Sequence, residues 1–373
     1  MKKLITLLLA LMMIFSFAAC GGGTTDEEGS NEGTEGPETF EIALITDVGT
    51  IDDKSFNQGC WEGVVQYAEE NNLTHKYYQP AEKSTDAYVT SIGLAVQGGA
   101  KVVVTPGFLF EEAIYISQDQ YPDVHFILID GNPNDGNQDF AARVYNTAAN
   151  TVGVVYAEEH SGFLAGYAAV KDGYTNLGFI GGMAVPAVVR FGYGFVQGAE
   201  YAATELGLED GAITMKYNYC NSFNPAPEFQ TLASSWYNEG TEVIFSCAGG
   251  VGNSVMAAAE SIEGKQVIGV DIDQSADSDT VLTSATKNLK SSVYTLLGKF
   301  YSDEFPGGQN ITLAAADDGV NLPMANSRFK TFTQADYDAI FAKLVDGSID
   351  PLNDADVADA SEIPMVKIVL ELI

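Results

Sequence analysis

The sequence predicts an α/β protein of two similar lobes, each a parallel sheet flanked by helices. From Phe40 onward, short apolar runs alternate with longer segments of helical period, the pattern of parallel strands covered by helices. Every run exits into glycine or aspartate, residues that let a chain turn sharply. At 373 residues and 46% hydrophobic content, the chain also exceeds what a single core fills, roughly 250 to 300 residues.

The first element is not part of that body. Lys2 and Lys3 precede an apolar stretch from Leu4 to Ala19, which has the charged start and short apolar run of a secretory signal and is shorter than a membrane span of about 20 residues. It ends in Phe17-Ala18-Ala19-Cys20, small residues before a cysteine, as in the lipobox of bacterial lipoproteins, with Phe17 in place of the usual leucine. Residues 1–19 are therefore read as a lipoprotein signal peptide and Cys20 as the lipidated, palmitate-bearing first residue of the mature chain. Residues 20–39, rich in Gly, Thr and Glu with no buried-face pattern, read as a disordered acidic linker.

Six runs read as strands: Glu41 to Thr46, Lys101 to Thr105, His125 to Ile129, Asn176 to Ile180, Glu242 to Ser246 and Gln266 to Val270. Between them, Cys60, Trp61, Val64, Val65 and Ala68 mark one helix face, and Phe229, Leu232, Ala233, Trp236 and Tyr237 another. Trp61 and Trp236 are expected in the core. Ser55 and Gln58 fit a capping box at the start of the first helix. Gly240 and Gly347 stand where helices should stop, the latter after a face of Tyr337, Ile340, Phe341, Leu344 and Val345. Three runs fall before residue 150 and three after it. Lobe 1 is expected over 40–150, completed by roughly 280–320, and lobe 2 over 151–279, completed by roughly 321–373.

Charge and chemistry narrow the function. A formal net charge of -33, from 51 acidic against 18 basic residues, repels polyanions, so nucleic acid is not expected as a partner. Beyond Cys20 the cysteines are Cys60, Cys220 and Cys247, without Cys-x-x-Cys spacing, and read as buried or free thiols. His75, His125 and His160 are far apart, and neither a metal nor a cofactor is expected. The strand exits carry the information: Asp47-Val48-Gly49, Pro106-Gly107-Phe108, Asp130-Gly131, Gly181-Gly182, Ala248-Gly249-Gly250 and Asp271-Ile272-Asp273. Ligands of open α/β sheets sit outside the carboxyl ends of the strands, and three of these six exits place a carboxylate there.

The stretch Thr46-Asp47-Val48-Gly49-Thr50-Ile51-Asp52-Asp53-Lys54-Ser55-Phe56-Asn57-Gln58 resembles the basic-membrane-protein family, the PnrA-like purine-nucleoside receptors of ABC transporters. The resemblance continues through Leu128 to Gly131, Glu158 to Tyr167, Ala248 to Asn253 and Gly269 to Gln274. It implies a type I periplasmic-binding-protein fold, two Rossmann-like lobes joined by a hinge that close over a nucleoside. It further implies Asp47, Asp130 and the Asp271/Asp273 pair as acceptors for ribose hydroxyls, with Asp271, nearer the strand end, preferred. Phe56 and Phe223 would sandwich the base, Asn57 would read its edge, Gly249 or Gly250 would offer backbone contacts, and Lys287 matches a family lysine at the site. The chemistry suits these residues: ionised carboxylates accept from vicinal hydroxyls, and a purine presents two π faces.

The expected function is thus that of a lipid-anchored extracytoplasmic substrate-binding protein of an ABC importer, a monomer and not an enzyme. It would capture a nucleoside, with a purine nucleoside expected, and deliver it to permease and ATPase subunits at the cell membrane. A sensory receptor or a sugar-binding receptor of the same fold is the alternative, and a nucleosidase the least favoured, since no nucleophile elbow or metal-ligand cluster is present.

Overall fold

A computed structural model describes residues 39–139 and 142–373. The signal peptide, Cys20 and the linker up to residue 38 lie outside the described residues. Within the described body, thirteen strands form two sheets.

The first sheet contains β1 (Ile42–Ile45), β2 (His75–Tyr78), β3 (Val102–Pro106), β4 (His125–Ile129), β5 (Thr151–Tyr156) and β11 (Gln309–Leu313). Its order is β11-β5-β4-β3-β1-β2, and every neighbouring pair is parallel. The second contains β6 (Asn176–Gly181), β7 (Ile213–Tyr219), β8 (Val243–Cys247), β9 (Gln266–Asp271), β10 (Val281–Lys287), β12 (Val320–Asn321) and β13 (Ile368–Leu372). Its order is β12-β10-β9-β8-β6-β7-β13, parallel throughout except for the short edge strand β12. All six apolar runs are strands, and all six, β1, β3, β4, β6, β8 and β9, have a partner strand on each side. Burial on both faces is why they read as continuous apolar runs.

The chain crosses between the sheets three times: from β5 to β6, from β10 to β11 and from β11 to β12. The lobe boundaries therefore differ from the sequence reading. Thr151–Tyr156, expected in lobe 2, hydrogen-bonds with β4 in the first sheet, and Val281–Lys287, expected to complete lobe 1, pairs with β9 in the second. Sheet membership is decided by pairing partners far along the chain, which composition does not reveal.

Helices α1 (Phe56–Glu70), α2 (Thr85–Gln97), α3 (Glu111–Gln120) and α8 (Leu289–Tyr301) cover the first sheet. Helices α5 (Pro186–Glu205), α6 (Pro227–Asn238) and α7 (Val251–Glu260) cover the second, while α4 (Glu158–Lys171) follows the first crossover and α9 (Gln334–Val345) packs against it. The largest apolar core is continuous between the lobes, and two smaller cores lie under α2 and α3 and under α6 and α7. Trp236 is buried as expected, whereas Trp61 is half-buried and packs edgewise on Tyr77 and at a tilt on His75. Gly240 and Gly347 adopt positive φ, +115° and +73°, at the ends of α6 and α9.

Helices α4 and α5 meet backbone to backbone. A Cβ on Gly162 would stand 2.1 Å from Phe191 O, and one on Gly198 would stand 1.9 Å from Phe163 O. Larger residues would force the helices apart, so these glycines fix where both helix N-termini lie. Both N-termini border the cleft.

The start of α1 corrects one expectation. Ser55 does not cap the helix; the Asp53 carboxylate does, accepting from the backbone N–H groups of Ser55 (2.9 Å), Asn57 (3.1 Å) and Gln58 (3.1 Å). A carboxylate takes several amide donors at once and complements the helix dipole, which a hydroxyl cannot match. The Gln58 side chain accepts from Lys54 N instead.

Candidate functional site

A cavity whose empty space, open mouth included, is about 700 Å³ lies among the carboxyl ends of the strands of both sheets. The first lobe contributes Asp47, Phe56, Asn57, Phe108 and Asp130, and the second contributes Phe191, Phe223, Gly249, Gly250, Asp271 and Lys287. Nine of the ten expected residues are thus brought together from segments up to 240 positions apart (287 − 47). Asp273 is the exception. It does not line the cavity; its carboxylate accepts from Ser275 N at 3.0 Å and from Asn326 Nδ2 at 2.9 Å, a local turn-stabilising role.

The first-lobe half is braced by its own bonds. Asp47 Oδ1 accepts from Gly49 N at 2.9 Å and from Asn57 Nδ2 at 3.0 Å, and the same Nδ2 donates to Asp53 Oδ2 at 3.0 Å. Both amide protons of Asn57 are committed to carboxylates. Its expected task of reading a ligand edge is therefore replaced, on the donor side, by holding Asp47 in place. Burial raises the Asp47 carboxyl above its ordinary range against the pull of the Gly49 N–H and Asn57. Burial likewise pushes Asp53 up to about 6 although four donors oppose it.

The second half is organised around Lys287, at the end of β10 and only 2% exposed in its side chain. Its ammonium bonds Asp130 Oδ2 and lies 3.5 Å from Asp271 Oδ1 and 3.6 Å from Glu158 Oε1. It also sits 4.6 Å from the centre of the Phe56 ring, close enough for a cation–π contact. Burial pulls the Lys287 pKa down, but Asp130, Asp271 and Glu158 together outweigh it and raise it on balance. Glu158 is pushed up to about 8 by burial, against the attraction of Lys287. A single ammonium shared by three carboxyl groups leaves acceptor capacity over, which is what a ligand rich in hydroxyl donors requires.

Backbone geometry aims these carboxylates. Asp130 and Asp271 have φ of +59° and +67°, a left-handed conformation that costs energy outside glycine. Asp130 stands immediately beyond β4 and Asp271 is the last residue of β9, and at each the turn brings the carboxylate to the cavity. Asp271 is secured from the opposite lobe: Ser55 Oγ donates to Asp271 Oδ2 at 2.5 Å. Beside it, Gln274 Nε2 donates to Lys54 O at 2.6 Å while its Oε1 accepts from Val270 N at 3.0 Å.

The aromatic faces come from both lobes, Phe56 opening α1 and Phe223 on the loop after β7. The paired glycines explain how Phe223 fits. A Cβ on Gly182 would come within 2.3 Å of Phe223 Cε1, and one on Gly249 within 3.4 Å of Phe223 O. Glu158, Phe108 and Phe191 carry no role in the sequence reading, yet Phe108 and Phe191 line the cavity and Glu158 faces the lysine. Phe108 follows a strand exit and Glu158 opens a recognised motif; nothing local in the sequence marks Phe191. Cys247 lines the cavity and Cys60 is buried, and burial pushes both thiols well up; none of Cys60, Cys220 and Cys247 is in a disulfide.

With this geometry in place, a sequence comparison decides the family. The model of the family described as ABC transporter substrate-binding protein, PnrA-like, matches residues 40–346. The chain belongs to this PnrA-like family. Among its relatives, the ABC transporter nucleoside-binding protein BmpA of Lactococcus lactis is 29% identical over 349 residues, covering 88% of this chain and 93% of that protein. Basic membrane protein A of Borreliella burgdorferi is 30% identical over 287 residues, 76% of each chain. A solute-binding protein of an ABC transporter system from Aeropyrum pernix, 21% identical, superposes with a TM-score of 0.72 over 87% of this chain and 96% of its own. That likeness shows the fold: this PnrA-like chain has the two-lobed α/β architecture of periplasmic solute-binding proteins. Among the described residues no helix is long and apolar enough to cross a membrane.

Proposed function

We propose that this PnrA-like protein is a lipid-anchored extracytoplasmic receptor that captures a purine nucleoside between its lobes and passes it to the permease of an ABC importer. The carrying observation is the arrangement of the cavity: Phe56 and Phe223 from opposite lobes, with Asp130 and Asp271 converging on Lys287 beside them. Two phenyl rings suit the faces of a purine, and carboxylates with unused acceptor positions suit the vicinal hydroxyls of a ribose. The nucleoside-binding relative in Lactococcus lactis supports the same reading. Asp47, fixed by Asn57, stands apart from the lysine and takes a donor on the base or sugar. Gly249 and Gly250 offer backbone groups, since no side chain screens them.

Capture needs no bond to break, so we assign no catalytic role. The charge of the site bears on specificity. Adding a phosphate would bring a dianion beside Asp47, Asp130, Asp271 and Glu158, so the nucleoside should bind well ahead of its monophosphate. Titration calorimetry with adenosine, inosine, their monophosphates and free ribose tests this. Tight binding of the nucleosides alone supports it, while ribose binding as well as adenosine makes the protein a sugar receptor. Release of free base on incubation with inosine makes it an enzyme. Anchoring through Cys20 predicts palmitate labelling of the protein in cells, abolished by Cys20→Ala.

A further inference from the structure

Beside the nucleoside cavity lies a second one, which shares Phe108, Asp130 and Ala187 with it. Asp130 is among the carboxylates assigned to the ribose, so this side cavity opens from the sugar end of the proposed ligand. Four carboxyl groups line it, on Glu111, Asp130, Glu158 and Asp354, against two guanidinium groups, on Arg143 and Arg190. The cations are already engaged: Arg143 Nη1 lies 3.2 Å from Glu111 Oε2, and Arg190 Nε lies 2.6 Å from Asp354 Oδ1.

What the side cavity has in surplus is acceptors. Asp130 Oδ1, Glu158 Oε2 and Asn132 Oδ1 are buried and make no hydrogen bond, and the side chains of Glu158 and Asp130 are 1% and 8% exposed. Arg190 Nη1 approaches Glu158 Oε2 to 3.5 Å, a charge contact without a hydrogen bond. Buried acceptors without donors are uncommon in folded proteins and each calls for a partner. We propose that this side cavity is a subsite for a protonated primary amine carried on the sugar side of the ligand. An ammonium brings three donors and no acceptor, a match for the three buried acceptors Asp130 Oδ1, Glu158 Oε2 and Asn132 Oδ1. A hydroxyl brings one donor and no charge. The assignment rests on the nucleoside reading of the main cavity and extends it to aminonucleosides.

The test compares adenosine with 5′-amino-5′-deoxyadenosine and 3′-amino-3′-deoxyadenosine by titration calorimetry, at a pH where the amines are charged. One of the two should bind at least about tenfold more tightly than adenosine, the scale of one added charge-assisted contact. That ratio should fall towards one in Glu158→Gln and shrink in Asp354→Asn, whose side chain is at the more open rim. Ratios are taken within each variant, so a general loss of affinity cancels, and Asp354→Asn serves if Glu158→Gln does not fold. Neither amine exceeding adenosine, or a preference that survives both substitutions, overturns the proposal. Should adenosine itself fail to bind, the nucleoside reading falls and methylammonium becomes the probe. Saturable methylammonium binding weakened by Glu158→Gln supports the subsite, and its absence overturns it.

Discussion

The two halves of the cavity are held in different ways. In the first lobe, Asp47, Asn57 and Asp53 bond to one another within one stretch of chain, so that half keeps its shape whatever the second lobe does. In the second lobe, Asp271 and Lys287 find partners across the cleft, Ser55 for the former and Asp130 for the latter. One half is preorganised by local chemistry; the other depends on contacts made across the cleft. On the proposed reading, the first half would be ready for ligand before the cleft shuts and the second would be completed on shutting.

The comparison breaks first at Lys287. Replacing it by methionine leaves three buried carboxyl groups around an apolar chain, and removing one partner of such a group costs roughly 3–5 kcal/mol. Denaturant unfolding of Lys287→Met should show a loss on that scale, and nucleoside binding should vanish with it. A variant as stable as the parent would mean that the cross-cleft half contributes no energy. Asp47→Ala strikes the self-braced half, where the groups left behind can still bond locally. Binding should weaken by about 10- to 100-fold, the worth of a charge-assisted hydrogen bond, while the melting temperature changes little. Asp53→Ala removes the helix cap and should cost about 0.5–2 kcal/mol, whereas Ser55→Ala should leave helix α1 capped and act on the closed state alone. Helix content by circular dichroism and unfolding midpoints separate the two.

Acidity sharpens the same contrast. Burial holds Asp53, Glu111 and Glu158 at about 6, about 7 and about 8 in the folded protein, above the roughly 4 of an unfolded chain. Folding then takes up protons, so the stability these groups contribute is full below about pH 4 and is lost as pH rises through 6 to 8. The melting temperature of ligand-free protein should fall between pH 5.5 and 8.5 (about the window of those three groups) and the fall should shrink in Glu158→Gln. The smallest effect is expected at Asp273→Ala, which bonds only to its own turn and to Asn326. Affinity should change less than about twofold, and a larger loss would return Asp273 to the site.

How much of this was legible in the sequence follows from the same physics. Strands such as Val102–Pro106, buried on both faces, announce themselves as apolar runs. His75–Tyr78 is a half-exposed edge strand, Ile213–Tyr219 alternates buried with half-buried residues, and Val281–Lys287 is fully buried yet has Thr283, Ser284, Ala285 and Thr286 at its centre and Lys287 at its end. None of these has the look of a core strand when read alone. In the site, Asp47, Phe56 and Asn57 were legible because they share one short motif. Glu158 was not given a role, since its meaning depends on Lys287, 129 positions later (287 − 158). Ser55 was misread for the complementary reason: its hydroxyl suits a local cap, and only the fold presents Asp271 as the better acceptor.

The threefold crossing of the chain between lobes has a consequence for how the molecule comes into being. The second sheet needs residues 281–287 and 368–372 beside strands that begin at 176, with an entire strand and helix of the other lobe threaded between. Neither lobe corresponds to a contiguous stretch that can mature while the remainder waits. Such distant pairings slow folding, because long loops must close before any contact rewards them. The two lobes should therefore appear together in time and melt as one cooperative unit, and the pocket should exist only once the last strand has paired.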